Sequence, residues 1–277
     1  MKIIEILKRM FLERHCLMCT EPISYEDKEP FCDLCIDEWK EFTKTKCRNC
    51  GRENIFCTCL PSKVKKINRS MVSWCYFYNG EENGEASIIF NNLKRRYDRE
   101  VIDFCTDKMK ASVLSLCRAR GVNYKDFVVT YVTRSKINVN RYGIDQSEKL
   151  AKSLAKKLGI GVVKTINNVG TSEQKELNKK ERAQNAFKAY EYIEGSVGEN
   201  KQFFLVDDIL TTGASMLACS YHLFKNGATM VVPVVFAKDN FKYKGDRKNV
   251  KRYTKYHFAG ASKSFVRNGP QRQNRNS

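Results

Sequence analysis

Phe203-Phe204-Leu205-Val206-Asp207-Asp208-Ile209-Leu210-Thr211-Thr212-Gly213-Ala214-Ser215 reads as an apolar strand, two adjacent carboxylates and a small-residue loop that opens a helix. Backbone N–H groups of Thr211, Thr212, Gly213, Ala214 and Ser215 would point outward at the positive end of that helix, with three hydroxyls around a glycine that has no Cβ to obstruct an anion. Such a loop is a cradle for phosphate. Asp207 and Asp208 cannot face the phosphate favourably, so their targets are the hydroxyls of an attached sugar or a bridging Mg2+. Together these parts call for a ribose phosphate. Asp and Thr also serve as ordinary capping residues at strand-to-helix turns. Here the acid pair, hydroxyl-glycine loop and flanking elements fall in the order expected at the carboxyl end of a parallel strand, where open α/β sheets bind ligands.

Working outward, strands are expected at 71–78, 127–132, 160–166, 203–206 and 229–237, the first closed by Asn79-Gly80. Helices are expected at 146–158, ended by Gly159, at 173–185, and at 215–226, ended by Gly227. The alternation predicts an α/β fold, a parallel sheet flanked by helices. A chain of 277 residues at 42% hydrophobic is long enough for one full core plus a smaller satellite.

That satellite is expected at the front, because eight of the twelve cysteines fall between Cys16 and Cys59, as Cys16/Cys19, Cys32/Cys35, Cys47/Cys50 and Cys57/Cys59. Two thiolates separated by two residues can face one ion across a tight turn, and two such pairs complete a tetrahedron around zinc. Four pairs therefore predict two Zn2+ ions in a small N-terminal Cys-rich zinc-ribbon module. Sequential and interleaved pairings fit the spacing equally well. A disulfide framework belongs to secreted chains, and nothing here directs secretion. Cys75, Cys105, Cys117 and Cys219 stand singly in apolar stretches as core residues.

The formal net charge is +19, which makes polyanions plausible partners. From Lys238 onward there are twelve Lys and Arg against Asp239 and Asp246, interleaved with Phe241, Tyr243, Tyr253, Tyr256, Phe258 and Phe265. Aromatic and basic residues in that mixture suit single-stranded nucleic acid. Ile3, Ile6, Leu7, Met10 and Phe11 have helical spacing, and 60–69 reads as a polar basic connector. The expected organisation is 1–70, an N-terminal helix and double zinc ribbon; 71–238, the α/β domain; and 239–277, the basic tail. The apolar runs are too short for membrane insertion and the start lacks a signal-peptide pattern, so a cytoplasmic protein is expected.

At 206–215 the chain resembles the phosphoribosyl pyrophosphate (PRPP) motif of type I phosphoribosyltransferases. With the cysteine pairs, Tyr78, Asn92-Leu93-Lys94, Arg141-Tyr142-Gly143-Ile144-Asp145-Gln146-Ser147, and Gln174, Leu177, Arg182 and Asn185, it resembles the ComF family of competence proteins. The resemblance implies a double zinc ribbon fused to a phosphoribosyltransferase-like domain, PRPP binding with Mg2+, and a role in DNA uptake and single-stranded DNA handling beside other DNA-uptake proteins. It also implies that Arg134, Ser135 and Lys136, just after the 127–132 strand, contact pyrophosphate. Several related transferases carry a carboxylate general base where Thr211 stands, and a threonine hydroxyl cannot do that near neutral pH. His15, His222 and His257 form no catalytic set, and no catalytic residue is assigned. The alternatives are an active phosphoribosyltransferase for an unidentified nucleophile, and a zinc-dependent nucleic-acid-binding protein with a non-catalytic α/β scaffold.

Overall fold

A parallel strand covered on both faces reads as an unbroken apolar run, and the stretch Met230–Asp239 is buried at every residue after the first. In the computed structural model it is β8, a central strand of a four-stranded parallel sheet. The sheet runs in the order β3 (Ser73–Tyr78), β8, β7 (Gln202–Leu210), β4 (Phe127–Tyr131). The structure describes residues 14–24, 29–67, 71–79, 87–95, 99–170, 187–196 and 200–241. Outside them lie the expected N-terminal helix, the helix at 173–185 with Gln174, Leu177, Arg182 and Asn185, Gly80, and the tail from Lys242 onward.

Alternation along β7 assigns its two faces. Phe204 and Val206 pack with Phe104, Cys105 and Met109 of α3 (Arg99–Arg120) and with Leu150 and Leu154 of α5 (Gln146–Leu158). Phe203 and Leu205 point the other way, into a core with Met216, Cys219 and Leu223 of α6 (Ala214–Lys225). Helix α5 forms where expected, because Leu150, Ala151, Leu154, Ala155 and Leu158 recur on one face and Asp145 caps its first turn by accepting from Glu148 N–H. Gly159, at φ +67°, ends it.

The N-terminal cysteine-rich segment is welded to this body by aromatic packing. Its helix α1 (Asp33–Thr43) carries Trp39, whose ring stacks 5.2 Å from Phe31 and meets Tyr76 of β3 and Phe104 of α3 edge-on at 5.2 and 5.3 Å. A two-stranded ribbon, β1 (Arg14–His15) with β2 (Pro22–Ile23), brackets the first cysteine pair. Two further α-helices are α2 (Ser87–Arg95) and α4 (Lys136–Tyr142).

Three expectations need correction. The strand at 160–166 is a single bridge, Val162 to Val129, after which the chain leaves the sheet and forms β5 (Ile166–Asn168), paired antiparallel with β6 (Tyr190–Tyr192). Gly161 and Val163 satisfy both backbone groups of Val129, and the pairing on that edge goes no further than this one bridge. The 203–206 strand continues to Leu210, so Asp207 and Asp208 lie within β7 rather than beyond its end. The 60–69 connector is not a solvated linker either: Leu60, Val64 and Ile67 are buried in the core on the α6 face, at spacings of four and three that one helical stripe would have.

Candidate functional site

Strands β4 and β7 are paired through Tyr131 and Val206, so the loops leaving their carboxyl ends open side by side. From β7, Asp207 Oδ1 accepts from Ser147 Oγ (2.8 Å) and from Asp208 N–H (3.0 Å). Asp208 Oδ1 accepts from Ile209 N–H (2.6 Å), and its Oδ2 lies 3.4 Å from Arg134 Nη2. Arg134 is held in turn, since its N–H donates to Asp145 Oδ2 (2.9 Å). Arg134 is thus held at two points, its guanidinium by Asp208 and its main-chain N–H by Asp145. Asn168 Nδ2 ties down the same loop by donating to Thr133 O (3.1 Å), and Thr133 Oγ1 is buried without a hydrogen-bond partner among the described residues.

Crowded, poorly solvated carboxylates resist ionisation. Burial, then the Asp208 charge, pushes the Asp207 carboxyl up to about 8, with Ser147, the Asp208 amide and Arg134 opposing. Asp145 is also raised, by burial, against the amides of Arg134 and Glu148. Since Asp207 has a higher value folded than the ordinary 3.8, the folded chain holds the extra proton between those values, and stability falls as pH rises from about 4 to 8. Asp207→Asn is expected to flatten that slope and to raise the ligand-free melting temperature at pH 8 by ~2–4 °C, equivalent to about 1 kcal/mol in a chain of this size. Melting curves at pH 5 and pH 8 check this. A variant less stable than the parent at pH 8 would count against a crowded acid pair.

The loop of Thr211, Thr212 and Gly213 follows directly. Thr211 and Thr212 are exposed, Gly213 is buried, and Ala214 and Ser215 begin α6. Gly213 adopts φ +72°, the left-handed conformation that turns the chain into the helix, and Ala214 N–H donates to Thr212 Oγ1 (3.4 Å). A Cβ on Gly213 would stand 2.2 Å from Val64 Cγ2, so the connector forms the back wall of the loop. On the β4 side Tyr131, Arg134, Lys136, Asp145, Lys164 and Asn168 help line a cavity of about 870 Å³, which Arg134 joins to Asp208; the 211–215 loop does not line it. Among the expected pyrophosphate contacts, Arg134 and exposed Lys136 present charge here, whereas the Ser135 hydroxyl caps α4 by accepting from Asn138 N–H (3.4 Å).

Cysteines partition sequentially. The sulfurs of Cys16, Cys19, Cys32 and Cys35 lie within 4.8 Å of one another, as do those of Cys47, Cys50, Cys57 and Cys59. Four thiolates at 2.3 Å around one zinc are separated by about 3.8 Å, so both clusters have the donors and the size for the ion. Despite burial, amides of Cys19, Cys32 and Met18 bring the Cys16 thiol down to about 7, and amides of Asn49 and Cys50 do the same for Cys47, whereas burial and the neighbouring thiols push Cys35 and Cys59 up. Cys75, Cys105, Cys117 and Cys219 are buried core residues.

Sequence reasoning missed Asp145, Ser147 and Val64 as parts of the site. Asp145 was detectable as the cap of a helix beginning at Gln146, and Val64 from the 60, 64, 67 spacing. That Asp145 also grips Arg134 is a tertiary fact with no local signature.

Residues 139–267 match the family model of the phosphoribosyl transferase domain. The chain carries a type I phosphoribosyltransferase-like domain. No curated protein matches it. Among solved structures, it is similar to adenine phosphoribosyltransferase from Saccharomyces cerevisiae at 17% identity, covering 55% of this chain and 72% of that one with a TM-score of 0.33. Adenine phosphoribosyltransferase from Trypanosoma brucei, in complex with AMP, pyrophosphate and ribose-5-phosphate, shares 16% identity over 58% of this chain and 76% of that one, TM-score 0.33. A hypoxanthine phosphoribosyltransferase from Staphylococcus aureus shares 14% over 55% and 80%, TM-score 0.33. No helix among the described residues is long and apolar enough to cross a membrane.

Proposed function

We propose that this protein binds PRPP or a related ribose phosphate at the ends of β4 and β7 and acts, as its likeness to the ComF family implies, in DNA uptake and the handling of single-stranded DNA. The observation that carries the binding is the juxtaposition of Asp207 and Asp208 with a Gly213-centred turn at the N-terminus of α6 and with Arg134 across the strand gap. In this reading, main-chain N–H groups of 211–215 hold the 5′-phosphate, the two acids accept from ribose hydroxyls, and Arg134 and Lys136 face pyrophosphate. Ligand must displace Asp208 from Arg134, and the 3.4 Å separation makes that a weak contact to give up. The buried Thr133 hydroxyl supplies one further donor in the same loop.

Mg2+ bound with PRPP would neutralise the diphosphate, and the Asp207 and Asp208 oxygens are the hard donors it takes. Zn2+ at each four-cysteine cluster would be structural, because all four coordination positions are filled by protein sulfur.

Titration calorimetry with PRPP, with and without Mg2+, tests the reading. At a pH above the Asp207 value of about 8 the parent is expected to bind, and Asp207→Asn/Asp208→Asn to bind at least ~100-fold more weakly, two charge-assisted hydrogen bonds being worth about 3 kcal/mol or more. Equal heats from the two proteins would end it. Single-stranded DNA binding is expected from the basic tail, with affinity falling steeply between 50 and 200 mM salt. A chain ending at Lys242 keeps β8 and Asn240 and is expected to lose most of that affinity, read by fluorescence anisotropy; full affinity after truncation would remove the tail from the proposal.

A further inference from the structure

Lys238 belongs to the densest basic region of the sequence, yet it is 1% exposed, inside β8. A buried ammonium without a counter-charge is costly, and among the described residues no Asp or Glu pairs with it. Its Nζ donates to the Cys59 carbonyl, lies 3.6 Å from Cys57 Sγ, and stands over the rings of Trp74 and Phe77 at 5.0 and 4.9 Å. Aromatic faces attract a cation but do not balance its charge. Four thiolates around Zn2+ would do so, since that complex has a net charge of −2 and the Cys57 sulfur is within hydrogen-bonding reach.

We propose that Lys238 is the resident counter-cation of a tetrathiolate zinc complex at Cys47, Cys50, Cys57 and Cys59, a role that rests on the zinc reading of that cluster. Its position ties the metal to the sheet. Asn240, two residues on, accepts from Arg48 N–H (2.9 Å) and donates to Lys46 O (3.0 Å), while Asn49 Nδ2 donates to Phe241 O (2.7 Å). The end of β8 therefore grips the first knuckle through its backbone and the second through its charge. Lys238 is also in register with Leu210, the residue before the Thr211 loop. Among the described residues Lys238 contacts no sulfur of the other cluster, so the two sites differ in their surroundings although their ligands are alike.

The test compares zinc release from full-length wild type, Lys238→Met, Lys238→Gln and Lys238→Arg into a chromogenic chelator, after elemental analysis of each purified protein. Two zinc ions per wild-type chain establish the reading on which the proposal rests; fewer than two, with the cluster at Cys47 lacking its ion, overturns both together. With two ions present, Lys238→Met is expected to release one of them ~10–100-fold faster and the other at the wild-type rate, the usual effect of losing an outer-sphere partner. Lys238→Gln, which keeps a hydrogen-bond donor without charge, should resemble Met, and Lys238→Arg should resemble wild type. Wild-type release of both ions from the Met or the Gln variant overturns the proposal, and the Gln variant decides the matter if Met does not fold. Cobalt substitution gives an independent readout, a shift of the thiolate charge-transfer band from the same cluster only.

Discussion

Gly213→Val is expected to destabilise the chain by ~3 kcal/mol or more and to abolish measurable PRPP binding. Two costs act at one atom. At φ +72° a Cβ already opposes the following carbonyl, about 1–2 kcal/mol for an L residue. That Cβ would also stand 2.2 Å from Val64 Cγ2, and Val64, fully buried beside Leu60 and Ile67, has no open side to retreat into. The loop must move instead, which disperses the amides that the phosphate needs. Val64→Ala removes the colliding methyls and should restore part of the stability of Gly213→Val without restoring binding, because the backbone strain remains. Thermal melts and PRPP titrations of the three variants read both terms. A Gly213→Val chain with parental melting temperature and affinity would mean that the connector does not support the loop.

Cys35→Ser should cost a comparable amount by another route. Cys35 lies in the first turn of α1 and is buried with Cys16, and the same helix sets Trp39 among Phe31, Tyr76 and Phe104. A structural zinc in a small module carries folding free energy on the order of 10 kcal/mol. Its loss is expected to release α1 and with it the edge-on and stacked contacts of Trp39, at ~3–5 kcal/mol for an aromatic leaving a core. Near-ultraviolet circular dichroism should lose the Trp39 signal, the melting temperature should fall by roughly 10 °C, and chelation of the parent should reproduce both changes. Retention of one zinc, a parental spectrum and a parental melt in Cys35→Ser would place the stability of the module in its apolar contacts alone.

Strand and helix order needed no coordinates. The 3.6-residue recurrence from Leu150 to Leu158, the apolar runs of β4, β7 and β8, and Gly159 and Gly227 as stop signals are local quantities, and local propensity and patterning agree with the fold there. The misreading at 160–166 has the opposite cause. Gly161, Val162 and Val163 suit an edge strand, but which edge groups remain unpaired after Val129 is satisfied depends on a partner distant in sequence.

An α/β chain with eight cysteines in pairs and an acid pair ahead of a glycine turn is legible in the order of residues, because each of these is a pattern of neighbouring side chains. Which cysteines cluster together, that Val64 backs Gly213, that Asp145 and Asp208 converge on Arg134, and that Lys238 is an interior cation rather than part of a basic surface come from the packing. Those facts depend on distances between residues from 11 to 181 positions apart, and neither spacing nor composition specifies them. They arise when the packing of two apolar faces brings the strand ends and the metal-binding turns to one place.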